Sequence, residues 1–372
     1  MNIGFDAKRA VQNNTGLGNY SRYIAEILVE HCPDNRYFLF APKRRANERL
    51  RRLHELANCS FVYPSGADRL IPALWRSGGM VKDLKRCGID VFHGLSNELP
   101  VGIGRCKLKS VVSIHDLIFL RYPEFYRPID RAIYRLKFEH ACRAADKVIA
   151  VSECTKRDIV SFFGIPEEKI AVVYQGCHPQ FQQRVPEEKM QEVRARYGLP
   201  EGFILSVGSI ERRKNLLPAV KALRLLPDVH LVAVGRSTPY LREVELYARR
   251  HGLSRRLHVL HNVSFADLPA VYQLARVFVY PSYFEGFGIP VIEALSCGIP
   301  VIAARGSCLE EAGGPASVYV DPDGEDELAL RIGEILGDEA LANRMIKAGK
   351  EYVGRFDDGK AAAELMRIYQ SL

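Results

Sequence analysis

Short apolar runs alternate with longer amphipathic stretches along the chain, and the alternation restarts near its middle. In the first half, Asn2–Asp6, Tyr37–Ala41, Val91–His93, Ser110–Ile114 and Lys147–Val151 read as buried strands. Helical spacing fills the intervals, most clearly over 127–145, so the pattern predicts βα units around a parallel sheet. The series begins again at Phe203 and continues with strands at His230–Gly235, His258–His261, Arg276–Tyr280 and Pro300–Ala304. Helices are predicted at Leu241–Arg250 and Leu268–Leu274, and an amphipathic one over Gly359–Leu372 ends the chain. Two α/β domains follow from this pattern. The polar stretch Gln182–Glu188 parts them, giving 1–184, 185–356 and a last helix at 357–372.

Composition narrows the class. A chain of 372 residues, 47% apolar and 26% charged, suits two soluble domains with substantial cores. Nine cysteines occur without a CxxC pair or a metal-like Cys/His spacing, which fits a reduced, cytoplasmic setting. Met1–Asp6 reads as a strand rather than a signal peptide, and no apolar run reaches membrane-spanning length. The net charge of +8 suits nucleic acid, anionic lipid or an anionic small substrate. No zinc finger or RNA-recognition signature is present, so no nucleic-acid partner is expected. The densest basic segment, 43–52, reads as a solvated helix face; a lipid-linked acceptor would favour peripheral contact of such a face with an anionic membrane.

Three stretches carry candidate chemistry. The first is Tyr280-Pro-Ser-Tyr-Phe-Glu-Gly-Phe-Gly-Ile-Pro-Val-Ile-Glu-Ala-Leu295, a strand end, a turn through Gly286 and Gly288, and a helix with Pro290 at its start. That arrangement frees backbone N–H groups and a helix N-terminus for an anion. Glu285 sits in the turn and Glu293 in the helix, where it could equally complement the helix dipole. The second is Phe203-Ile-Leu-Ser-Val-Gly-Ser-Ile-Glu-Arg-Arg-Lys-Asn215, a buried strand followed by cations suited to phosphate oxygens. The third, Ser110–Tyr126, ends a strand in His115-Asp116, at the sheet edge where open α/β proteins bind ligands. His93 ends a neighbouring strand in the same way. Gly16 and Gly18 precede a helix beginning near Asn19 and could let backbone approach a ligand, although Ser21 replaces the third glycine of a dinucleotide fingerprint. Ser152 is a plausible helix N-cap at a crevice edge.

The Glu-x7-Glu pair framing Gly-Phe-Gly-Ile-Pro-Val resembles the donor-site signature of retaining GT-B glycosyltransferases, particularly glycosyltransferase family 4. The Ser110–Tyr126 run resembles the mannosyltransferase-like branch of that family. The resemblance spans nearly the whole chain, with Ala171–Pro179 similar to the last N-domain strand and its exit, and Val318–Pro322 to the terminal core strand. It implies two Rossmann-like domains facing across a cleft, with the last helix crossing back to the first domain. Acceptor binding would fall to the N-terminal domain, around Asn19, His93 and Asp116, and donor binding mainly to the C-terminal one. By the resemblance, Glu285 and His115 lie by the donor sugar, Glu293 binds the ribose hydroxyls, and Arg213 and Lys214 clamp the diphosphate. Arg212 stands where many relatives have proline, leaving open which arginine reaches the phosphates. Gly16 and Gly18 would face the donor phosphates, and Gly286, Phe287 and Gly288 the donor; Glu311 aligns with a recurrent acid beside the nucleotide. The implied activity is retaining, metal-independent hexosyl transfer without a cofactor, best matched to mannose from GDP-mannose, onto a glycan or lipid-linked glycan in polysaccharide biosynthesis. A nucleotide-sugar epimerase of the same fold and a catalytically silent partner subunit are the alternatives.

Overall fold

Seven parallel strands form one sheet in the order β3-β2-β1-β4-β5-β6-β7. They are β1 (Asn2–Asp6), β2 (Arg36–Phe40), β3 (Cys59–Val62), β4 (Val91–Gly94), β5 (Lys109–Ile114), β6 (Lys147–Ala150) and β7 (Ile170–Val172). Six more form a second parallel sheet, β10-β9-β8-β11-β12-β13. These are β8 (Ile204–Val207), β9 (Leu231–Val234), β10 (Leu257–Leu260), β11 (Val277–Tyr280), β12 (Val301–Ala304) and β13 (Val318–Val320). Central strands such as β11 and β12 are buried at every position, as parallel strands covered on both faces must be. In both sheets the strand order reverses beside the first strand, between β1 and β4 and between β8 and β11. Loops leaving those strands diverge and open a crevice at their carboxyl ends.

The computed structural model describes residues 1–372. They divide into two units, Met1–Gln175 with Phe356–Leu372, and Gly176–Arg355. The division falls ahead of the Gln182–Glu188 stretch expected to carry it. Pro179–Gln182 is a 3₁₀ turn whose Phe181 is fully buried, edge-on to Phe265 and Tyr272, and that aromatic burial outweighs its polar neighbours. At the other end, Phe356 belongs to the first unit and packs edge-on against Tyr174. The Asp358–Gln370 helix follows it and lies on the Gly16–His31 helix.

Two local expectations change, and one strand had not been expected. The first long helix begins at Gly16, not near Asn19, with Thr15 as its extended N-cap residue. Residues 43–52 are not one helix face: only Glu48–Leu50, a 3₁₀ turn, and the Arg51–Glu55 helix are helical there. Strand β3 had no apolar signal because, at the sheet edge, its four residues are half-buried or exposed.

Candidate active site

In the second unit the crevice between β8 and β11 gathers the predicted cations and one predicted acid. After β8 the chain turns at Gly208, whose φ is +147°, and reaches a 3₁₀ turn at Arg212–Lys214. Asn215 reverses the chain in the left-handed region and is held by its side-chain N–H to the Pro322 carbonyl. This places Arg213 and Lys214 over the Tyr280–Gly288 loop. Glu285 Oε1 accepts from Lys214 Nζ at 2.9 Å, Tyr280 O–H at 3.0 Å and Ser282 O–H at 2.8 Å. Its Oε2 faces Arg213 Nη1 at 3.0 Å. Burial alone would raise the Glu285 carboxyl, but Arg213 and Lys214 hold it down to about 2, so it is an anion throughout the physiological range.

Arg213 also donates to the Phe284 carbonyl at 2.6 Å and, through Nη2, to Glu211 at 2.8 Å. Arg212 turns away, pairing with Glu243 and lying over the Tyr240 ring. The arginine of the cluster is therefore Arg213. Gly288 caps the Ile289–Cys297 helix at φ +113°, where an added Cβ would meet Leu309 Cδ2 at 2.8 Å. Gly286 and Phe287 lie in the same turn, with the Phe287 ring buried. Glu293, in the helix, accepts from Tyr272 O–H at 2.8 Å and has no cation of its own. Burial pushes its carboxyl up to about 7, only partly offset by Tyr272. Glu311 lies within a different segment, the Leu309–Gly313 helix, where its carbonyl accepts from Tyr352 O–H.

In the first unit His115 follows β5. Its Nε2 lies 2.9 Å from the Leu95 carbonyl, so Nε2 carries the proton and Nδ1 is left as an acceptor. Burial lowers the imidazole to about 4 and keeps it neutral. Its backbone is gripped on both sides: its N–H donates to Asn97 Oδ1 at 2.8 Å and its carbonyl accepts from Thr155 O–H at 3.2 Å. Ser152 caps the helix that carries Thr155, accepting from the Thr155 N–H, a cap worth about 1 kcal/mol. Asp116 accepts from the N–H of Ile118, the first residue of the next short helix.

Two first-unit expectations are corrected. His93 is wholly buried and cannot meet an acceptor; its Nδ1 bonds Tyr369 O–H at 2.6 Å and its Nε2 bonds Ser113 O–H at 2.8 Å. Ser113 in turn bonds Tyr20 O–H at 2.7 Å, and the Tyr20 ring stands edge-on to His115 at 4.5 Å. Gly18 is also a packing residue, since an added Cβ would lie 1.8 Å from the Asn13 carbonyl oxygen, while Gly16 has open space. Asn19 Oδ1 accepts from both Arg22 and Arg49. At the β1–β4 crevice the structure adds residues with no motif to announce them. Arg76 bridges buried Asp6 at 2.6 Å and Glu98 at 2.7 Å. In the second unit Tyr280 and Ser282 are the comparable omissions; both lie in the quoted motif, five and three positions before Glu285, and so carried a usable signal.

The whole chain superposes on Anabaena Alr3699/HepE in complex with UDP-glucose with a TM-score of 0.80 and 19% identity, covering 100% of both chains. WaaG, a glycosyltransferase involved in lipopolysaccharide biosynthesis, superposes over 99% of both chains with a TM-score of 0.71 and 16% identity. These neighbours and the two Rossmann-like sheets show the GT-B fold. Residues 15–181 match the family model Glycosyltransferase Family 4, and residues 189–352 match Glycosyl transferases group 1. The chain is 30% identical over 292 residues to O-antigen chain mannosyltransferase B of Escherichia coli, which covers 76% of this chain and 74% of that protein. It is also 30% identical over 265 residues to the serotype-specific mannosyltransferase WbdA of Escherichia coli, of which it spans 32%. The chain belongs to glycosyltransferase family 4.

Proposed function

We propose that the protein is a retaining hexosyltransferase moving mannose from GDP-mannose to a glycan or lipid-linked glycan in polysaccharide biosynthesis. The observation that carries this reading is the Arg213–Lys214–Glu285 cluster at the β8–β11 crevice. A nucleotide-sugar donor leaves as a nucleoside diphosphate, and fixed cations beside it lower the barrier. Lys214 spends two of its three N–H groups on Glu285 and Tyr280, leaving one for a phosphate oxygen. Arg213 can exchange its bond to Glu211, which is a third exposed, for the diphosphate while Glu285 keeps its fork in place. The family assignment and the mannosyltransferase relatives support mannose and a polysaccharide acceptor.

In the proposed step the bond from the sugar's anomeric carbon to the diphosphate breaks. The acceptor oxygen bonds that carbon on the same face, and its proton passes to the departing phosphate oxygen. Glu285 stays ionised and orients the cations, while neutral His115 offers Nδ1 as an acceptor to a sugar or acceptor hydroxyl. Positive side chains take the electrostatic part that a metal would play, so transfer proceeds without one. Nucleoside diphosphate release from GDP-mannose, UDP-glucose and ADP-glucose, measured with excess chelator, tests this. Slow GDP release from GDP-mannose alone is expected. A preference for a UDP- or ADP-sugar contradicts the donor, and activity lost to chelation but restored by magnesium or manganese contradicts metal independence.

A further inference from the structure

Large apolar side chains exposed on the first unit are not scattered. Apart from Met1, all of them lie in the segment Leu70–Leu74, at Val101, or on the Pro128–Ala144 helix. The extremes are Leu70, Ile129 and Leu136, exposed to 83%, 74% and 72%. On the helix, Ile129, Ile133 and Leu136 recur at the spacing of one face, and His140 continues that row. The core-facing side is already supplied by Phe138, Ala141 and Cys142, so the outer row is a second apolar stripe with nothing of this unit to cover it.

Val101 joins the parts. Its N–H donates to the Ser77 carbonyl at 2.7 Å, just beyond Leu74, and Val101, Ser77, Lys137 and His140 line one depression. A patch this continuous is uncommon on a surface that meets only water. Its rim is basic: Arg69, Arg105, Arg127, Lys137 and Arg143 are exposed around it. Two carboxylates beside it are neutralised, Glu98 by Arg76 and Lys137, and Glu139 by Arg143, while Asp130 on the helix forms no ion pair.

We infer that this face docks on an anionic phospholipid surface, with Leu70, Leu74, Val101, Ile129, Ile133 and Leu136 entering the headgroup region and the rim cations meeting lipid phosphates. Apolar side chains ringed by cations, of which Arg69, Arg105 and Arg127 hold no carboxylate, match the layered chemistry of a bilayer surface, apolar beneath and anionic above. The basic 43–52 segment carries no such apolar partner: its exposed arginines stand beside the half-buried rings of Phe61 and Tyr63. Docking would bring a lipid-linked acceptor to the enzyme; only this purpose rests on the function proposed above.

The full-length protein is sedimented with vesicles of phosphatidylglycerol and phosphatidylcholine in equal parts, and with phosphatidylcholine alone. Wild type is expected in the pellet with the anionic vesicles and less so in high salt, where charges are screened. Ile129→Ser/Leu136→Ser and Leu70→Ser/Leu74→Ser should each weaken binding about tenfold or more. Lys43→Ser/Arg45→Ser should leave it unchanged. The proposal is overturned if wild type stays in the supernatant, if both apolar double variants bind as wild type does, or if only the Lys43/Arg45 variant loses binding. It is also overturned if light scattering finds a wild-type dimer that the apolar variants dissociate, because a second copy then covers the face. Donor hydrolysis without vesicles separates the two readings. Its absence in wild type counts against the transfer reaction and not against docking, while intact hydrolysis in a variant that no longer sediments shows a folded enzyme without its docking face.

Discussion

Glu285 and Glu293 are eight residues apart and chemically opposite. Glu285 is surrounded by donors, two of them cations, and stays charged; its stabilising contribution is present above the ordinary carboxyl range and lost as pH falls through about 2. Glu293 is half-buried with one tyrosine and no cation, and desolvation pushes its carboxyl up to about 7. Its sign is the reverse: the neutral form is favoured in the fold, so its contribution is present below the ordinary range and lost as pH rises through about 7. If its carboxylate accepts the ribose hydroxyls, donor binding strengthens over the same interval. The donor KM should therefore rise as pH falls below 7, by up to about tenfold per unit, and Glu293→Gln should flatten that dependence. A KM–pH profile with the same slope in both proteins would remove Glu293 from donor binding. At this scale the sequence was legible where residues sat in one continuous motif, as the turn residues Glu285 and Gly288 do. It was not legible for His93, because a strand-end histidine facing Tyr369, some 276 positions away, looks like one facing solvent.

Among the elements, the Ile289–Cys297 helix depends most on one backbone angle. Gly288 is left-handed and closely packed by Leu309 and Ala312, so Gly288→Ala combines backbone strain with a clash, roughly 1–3 kcal/mol from the strain alone. A drop of several degrees in Tm with weakened donor binding is expected from thermal unfolding and calorimetry. Gly16→Ala is the contrast, since its Cβ meets nothing within 4 Å and alanine favours a helix; its Tm should not fall. Equal behaviour of the two variants would contradict this reading of the turn. Buried strands were legible because both faces are covered and apolar runs mark them. Edge strand β3 and the true start of the Gly16–His31 helix were not, the first for want of burial and the second because Gly16 and Gly18 disguise a first helical turn.

Across the whole molecule, two βα series were legible, but strand order was not, and strand order is what explains the sites. Both sheets reverse beside their first strand, and the loops leaving β8 and β11 bring Arg213 and Lys214 to Glu285, some 70 positions away in sequence. The return of the last helix to the first unit likewise rests on contacts no local pattern encodes, Tyr369 with His93 among them. The most direct measurement is the calorimetric Kd of GDP for wild type and Lys214→Ala, with chelator present and the fold checked by circular dichroism. Loss of one charge-assisted bond to the diphosphate should weaken binding by about tenfold to a hundredfold. An unchanged Kd in a folded Lys214→Ala protein would mean that the diphosphate does not bind at the β8–β11 crevice.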